Sequence, residues 1–101
     1  MRLTIDIPIF AGFTKAWGNA RREIEISWVP DEGDWLELPF ANRLIALGVP
    51  SPMLVWGAAP HESGIPTVLL DGIVMENWLA AARLAEMLEG EFGFELEEYD
   101  P

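Results

Sequence analysis

From Arg2 to Val29 apolar and polar residues take turns, and this period constrains the fold more than any other feature of the chain. Leu3, Ile5, Ile7 and Ile9 are apolar, with polar Arg2, Thr4 and Asp6 between and before them. Ile24, Ile26 and Trp28 alternate in the same way with Glu23, Glu25 and Ser27. Successive side chains of a strand point to opposite faces, so each run sets one row in a core and the other in water. The pattern predicts two strands, residues 3–9 and 24–28, paired antiparallel, onto which the rest of the chain packs. The segment between them, Phe10 to Arg22, is expected as a short helix or an irregular loop. Phe13 and Trp17 stand four apart, a spacing that lets one helical turn aim both at the core, and Gly18-Asn19 supplies a stop.

Further signals follow in order. Pro30 to Asp34 reads as a turn. Asp34 fits an N-cap with Glu37 three residues on, and the regular helix is expected over residues 39–47, because proline is tolerated only in a first turn. Leu44, Ile45 and Leu47 form its apolar stripe, Gly48 ends it, and Pro50 and Pro52 forbid its continuation. Residues 53–56 are expected as a short strand. Asp71-Gly72 divides two apolar runs, residues 65–70 and 73–75, which predicts a type I′ hairpin buried on both faces. Asn77 caps a helix expected from Trp78 to about Glu89, with Trp78, Ala81, Ala82, Ala85 and Leu88 on its apolar face and Gly90 as its terminator. Phe92, Phe94 and Leu96 then alternate with Glu91, Gly93, Glu95 and Glu97, a last strand with one acidic face leading into an acidic end. The sum is one α+β domain, residues 1–101, with a mixed sheet against one or two helices.

Composition narrows the chemistry. Half of the 101 residues are apolar, enough for a core and against general disorder. No cysteine is present, so disulfides, thiolate catalysis and thiolate metal sites are excluded. No apolar run approaches the roughly 20 residues of a membrane helix, and the opening residues lack a signal-peptide pattern, so a cytoplasmic domain is expected. Net charge is −11; after residue 22 only Arg43 and Arg83 oppose the acids. Such a surface repels phosphate backbones, so no direct nucleic-acid binding is expected, and it suits a protein partner with a basic face. Asp31, Glu32 and Asp34 are close-set but lack the ligand spacing of an EF-hand, and no metal or other cofactor is expected. His61 with Ser63 in a loop forms no nucleophile elbow, and no paired carboxylates or phosphate loop are visible, so the chain is not expected to be an enzyme. Trp17, Trp35 and Trp56 fall at element edges, where aromatic residues either cap a core or anchor a contact; Trp28 and Trp78 fit core stripes.

Several short motifs resemble the β-grasp, ubiquitin-like sulfur carriers, the small subunit of molybdopterin synthase and the thiamine sulfur carrier. They are Phe10-Ala11 at the end of the first strand, Gly18 before the charged run Arg21 to Ile26, Ala46-Leu47-Gly48, Thr67 to Gly72, and Leu88 to Phe92 before the final strand. The resemblance implies a β-grasp sheet in which the first and last strands are parallel central neighbours and the second lies antiparallel beside the first. It also implies docking on an adenylating or synthase enzyme. Where the carriers end in Gly-Gly this sequence reads Tyr99-Asp100-Pro101, so the expected activity is noncovalent docking of an acidic sheet face and tail, without sulfur transfer. The residues expected to carry it are Glu91, Glu95, Glu97, Glu98, Tyr99 and Asp100. A second resemblance, to the thioredoxin-like domain of glutathione transferases, rests on Ile65-Pro66 to Asn77 and the helix after it. It implies first and second strands parallel across a crossover helix, here without a catalytic cysteine. A third reading, a small acidic inhibitor of phage or plasmid type that mimics nucleic acid, rests on charge and size alone.

Overall fold

A computed structural model of the protein describes residues 2–38, 40–59 and 64–99. Strand β1 (Arg2–Ala11) and strand β2 (Ala16–Glu25) are hydrogen-bonded neighbours, each ten residues long. Only Gly12 to Lys15 join them. So short a link allows only an antiparallel return, because parallel neighbours need a crossover of about a dozen residues or more. The Ala11 N–H donates to the Lys15 carbonyl at 2.8 Å, and Gly12 takes a left-handed φ of 78° in the turn. The antiparallel return is as expected, but the second strand begins at Ala16, inside the expected loop or helix, and ends at Glu25, so Ile26 to Trp28 of the expected strand lie outside it. Period two runs on through it, with Trp17, Asn19 and Arg21 on one face and Gly18 and Ala20 on the other. The inner row is too small to register as apolar. Phe13 is accordingly at the hairpin tip, 93% exposed, while Trp17 is buried and Trp28, beyond the end of β2, is exposed.

The chain divides into two compact units, Met1–Ile5 with Glu23–Asp71 and Asp6–Arg22 with Gly72–Pro101, and β1 and β2 each lend a length to both. In the first unit, β3 (Trp35–Leu36), β4 (Met53–Ala59), β5 (Thr67–Leu70) and β1 follow in that order. β3 pairs antiparallel with β4, and β4 with β5, with a bulge between Val55 and Gly57. Leu36, Met53, Val55, Val68 and Leu70 are buried, as are Leu3 and Ile5 of β1. Helix α1 (Ala41–Ala46) is one turn shorter than expected, and Pro39, its expected start, lies outside the described residues. It ends at Gly48, where a φ of 90° lets the Val49 N–H reach back to the Leu44 carbonyl. Of its expected stripe only Leu44 is fully buried; Ile45 is exposed, because six residues present a single inward position. Asp34 does not cap this helix. Its carboxylate accepts the Asp31 N–H at 2.8 Å and closes the turn before β3.

The second unit holds β6 (Ile73–Met75), α2 (Trp78–Phe92) and β7 (Glu95–Glu98) with the remaining lengths of β1 and β2. β6 runs parallel to β1, Ile9 opposite Ile73, and β7 runs antiparallel to β2, Ala20 opposite Leu96. Asp71-Gly72 is therefore not a hairpin: β5 pairs with β4 and β1, and β6 pairs with β1. Nor are its arms buried on both faces, since Leu69 and Val74 are exposed. Helix α2 begins where the Asn77 side chain accepts the Ala80 N–H at 2.9 Å, as expected, and buries Ala81, Leu84, Ala85, Leu88 and Phe92. Phe92 thus continues the helical stripe instead of opening a strand. The terminator is Gly93 (φ 71°), not Gly90, and the Phe94 N–H donates to the Leu88 carbonyl to close the end.

The fold is α+β, with a mixed sheet and two helices. The last strand lies beside β2, where the β-grasp expectation sets it beside β1, and the β1–β2 hairpin excludes the parallel crossover of a thioredoxin-like sheet. No helix among the described residues is long and apolar enough to cross a membrane.

Candidate functional site

Three strands of the second unit, β1, β2 and β7, bring polar side chains together on one face. Asp6 stands on β1 in the row opposite its buried isoleucines, and Asn19 and Arg21 occupy the matching row of β2. The β2–β7 register sets Glu97 opposite Asn19 and Glu95 opposite Arg21. Asp6 is only 7% exposed, and both its oxygens are engaged: Oδ1 accepts from Asn19 Nδ2 at 2.8 Å and Oδ2 from Arg21 Nε at 3.1 Å. Arg21 then reaches across to Glu97 at 2.9 Å, and the Tyr99 hydroxyl donates to Asn19 Oδ1. Two chains of bonds therefore leave Asp6, one through Arg21 to Glu97 and one through Asn19 to Tyr99. Each crosses β2 and ends on the edge strand or just beyond it. The Tyr99 N–H adds a backbone bond to the Trp17 carbonyl at 2.8 Å.

The electrostatics follow from this geometry. The hydrogen bond that Arg21 donates to Asp6, with the nearby Asp6 and Glu97 charges, holds the Arg21 guanidinium above its ordinary value against the opposing effect of burial. A buried carboxylate is tolerated because it is paired and hydrogen-bonded. With both oxygens committed to donors, Asp6 is not a free general base. The arrangement orders an edge strand and fixes which of its acids are neutralised. Glu97 is paired, while Glu95 and Glu98 are exposed and meet no cation among the described residues.

Close packing holds β7 in this place. A Cβ on Gly18 would run into the Glu97 carbonyl oxygen and stand 3.0 Å from Glu98 Cα, so glycine is what lets β7 lie against β2 here. Nearby, the Trp17 and Trp78 rings lie 6.5 Å apart, and Lys15 Nζ stands 4.9 Å from the Trp78 ring centroid. The Trp17 indole N–H is buried without an acceptor among the described residues.

Of the residues expected to form the site, Glu95, Glu97 and Tyr99 share the polar face. Glu98 lies opposite Gly18, on the other side of the strand. Glu91 belongs to the last turn of α2 and not to the strand, and Asp100 lies outside the described residues, as do His61 and Ser63. The sequence reading missed Asp6, Asn19 and Arg21. Asp6 registered as one polar step of an alternation and Asn19 as a turn residue. The signal that would have found them is the hairpin register, which sets Asp6 facing Arg21 once the turn is placed at Gly12 to Lys15. The close-set acids Asp31, Glu32 and Asp34 belong to the turn that Asp34 closes, which is held on β4 by Gly33 N–H to the Val55 carbonyl and Val55 N–H to the Asp34 carbonyl, both 2.8 Å.

No family model, curated protein or solved structure matches this chain.

Proposed function

We propose that this chain is a protein-binding module that docks noncovalently through its acidic edge on a partner with a basic face. The observation that carries the reading is β7 itself: the last strand in the sheet order, exposed, and, among the described residues, paired on one side only and bearing uncompensated Glu95 and Glu98. An edge strand offers a row of backbone groups to another chain, and its side chains decide which chain is admitted. Acids on an edge also keep copies of the same protein apart; a complementary basic partner turns that guard into a selector. The network from Asp6 holds the edge ready, so docking carries a smaller ordering cost.

The finer reading, a ubiquitin-like module related to the sulfur carriers, is supported by the middle of the sheet. There β1 has β2 as its hairpin neighbour and β6 as a parallel neighbour, in the place where the carriers are expected to have their last strand; here the last strand, β7, lies beside β2. On that reading the partner is an adenylating or synthase enzyme. The test is titration against an adenylating enzyme of the ubiquitin-like carrier type with ATP, at low and physiological salt, with the mass of the intact chain measured afterwards. The expected result is a reversible complex that weakens with salt, unchanged mass, and about fivefold to tenfold weaker binding for Glu95→Lys with Glu98→Lys, since exposed ion pairs contribute about 0.2–1 kcal/mol each. A covalent mass gain, or a complex indifferent to both charges and salt, refutes it.

A further inference from the structure

The first unit carries a second surface, of different chemistry. Trp35 on β3 and Trp56 on β4 are 61% and 58% exposed. The register sets Trp35 opposite Leu54, and Trp56 lies two residues on along the same strand, so all three belong to its outer row. The bulge between Val55 and Gly57 falls at Trp56, a device that re-aims a side chain at a strand edge. An open cleft of about 300 Å³ is lined by Leu54, Val55 and Trp56 together with Glu32 and Gly33 of the preceding turn. The turn is held there by two backbone hydrogen bonds to Val55, so the backbone that carries Glu32 is fixed beside β4.

The half-exposed Leu54, an aromatic wall and one acidic residue suit a long cationic side chain, its stem on Leu54 and its charge between Trp56 and Glu32. Charge selects the occupant. Asp31, Glu32, Asp34 and Glu37 flank Trp35 in sequence, and of the unit's cations among the described residues Arg2 is paired with Glu23 and Glu25 and Arg43 has an interaction of its own. The molecule contains the pairing already at Trp78, which holds its own Lys15, whereas Trp35 and Trp56 meet no cation among the described residues. A planar guanidinium stacks on an indole and forks onto a carboxylate better than an ammonium does. We infer that the outer face of β3 and β4 is a docking surface for an arginine-bearing basic segment of a partner protein, with the Trp56–Glu32 cleft as its arginine site. This surface is independent of the β7 edge.

The test follows the indole N–H signals of the five tryptophans by NMR while a short acetylated and amidated peptide of alternating glycine and arginine is added. A second titration uses the same peptide with neutral citrulline for arginine. The expected result is movement of the Trp56 and Trp35 signals with Trp17 and Trp78 unmoved, no movement with citrulline, and about fivefold to tenfold weaker binding for Glu32→Gln and for Trp56→Ala. Neutralising the other edge with Glu95→Gln and Glu98→Gln is expected to leave the Trp56 titration intact, which separates this surface from the β7 reading. A Trp56 signal that stays in place, equal response to citrulline, unchanged affinity in Glu32→Gln, or loss of the titration on neutralising β7 would each overturn the proposal.

Discussion

Asp6→Ala is the sharpest test of how the acidic edge is held. The change removes the acceptor of two hydrogen bonds, from Asn19 Nδ2 at 2.8 Å and Arg21 Nε at 3.1 Å. The Asn19 bond is buried, so its loss costs about 1 kcal/mol plus part of the penalty of an amide left without a partner. The Arg21 bond is charge-assisted, but that side chain is 44% exposed and recovers water, so about 1 kcal/mol is the appropriate figure in place of the 3–5 of a fully buried pair. The expected total is about 2–3 kcal/mol, read as a lower urea midpoint, or as a melting temperature lower by roughly 8–20 °C for a chain of this size. Asp6→Asn keeps the shape and one acceptor, and is expected to cost about half as much. Arg21 is held above its ordinary value, so its share is present below that value and lost only at strongly alkaline pH; the deficit between variants from this group is expected to be flat across neutral pH. Amide hydrogen exchange supplies the second readout. Asp6 ties β7 through both Glu97 and Tyr99, so β7 amides are expected to exchange faster in Asp6→Ala by more than those of β4. A loss below about 0.5 kcal/mol, the range of ordinary surface changes, or exchange that rises uniformly, would refute the network as the device that holds β7.

Gly18→Ala forces a Cβ into the backbone of Glu97 and Glu98, and is expected to cost at least about 1–3 kcal/mol in thermal unfolding and to loosen β7 in hydrogen exchange. Gly72→Ala sets a Cβ within 2.9 Å of Phe10 Cδ2; its destabilisation is expected to be relieved by Phe10→Leu in the double variant, measured as a double-mutant cycle. Asn77→Ala removes the side-chain acceptor of the Ala80 N–H and is expected to cost about 1 kcal/mol in urea unfolding, with Asn77→Ser recovering most of it.

What was legible in the sequence was whatever rests on local periodicity. The β1 alternation and the α2 stripe with its Asn77 cap need no knowledge of the rest of the chain, and both stand in the structure. Boundaries failed where two periods shared residues. Phe92 satisfies a helical stripe with Leu88 and a strand alternation with Phe94, and the helix won because the left-handed terminator the chain needs is three residues beyond Gly90, at Gly93. Strand β2 was hidden because its inner row near the turn is Gly18 and Ala20, whose small size is dictated by close neighbours such as β7 that lie far away in sequence. The candidate site was half legible for the same reason. Acids on β7 can be read from an alternation, but their partners Asn19 and Arg21 become partners only through strand register.

Asp71-Gly72 shows why a strong local signal can mislead. The pair favours a hairpin because glycine accepts the positive φ of a type I′ turn. Gly72 has no such φ: the left-handed glycines among the described residues are Gly12, Gly33, Gly48, Gly64 and Gly93. Its reason is space, since the Phe10 ring lies where its side chain would be. β6 runs parallel to β1 with Val74 opposite Phe10, so the chain passes Phe10 at close range as it enters that pairing. A hairpin would instead return the chain along β5, leaving β1 without this parallel neighbour. The two explanations of Gly72 differ in what rescues an alanine there. Positive φ is a backbone property that no change at Phe10 relieves, whereas a steric demand disappears when the ring is made smaller. Relief by Phe10→Leu thus assigns Gly72 to the packing of β1, and no relief returns it to the turn.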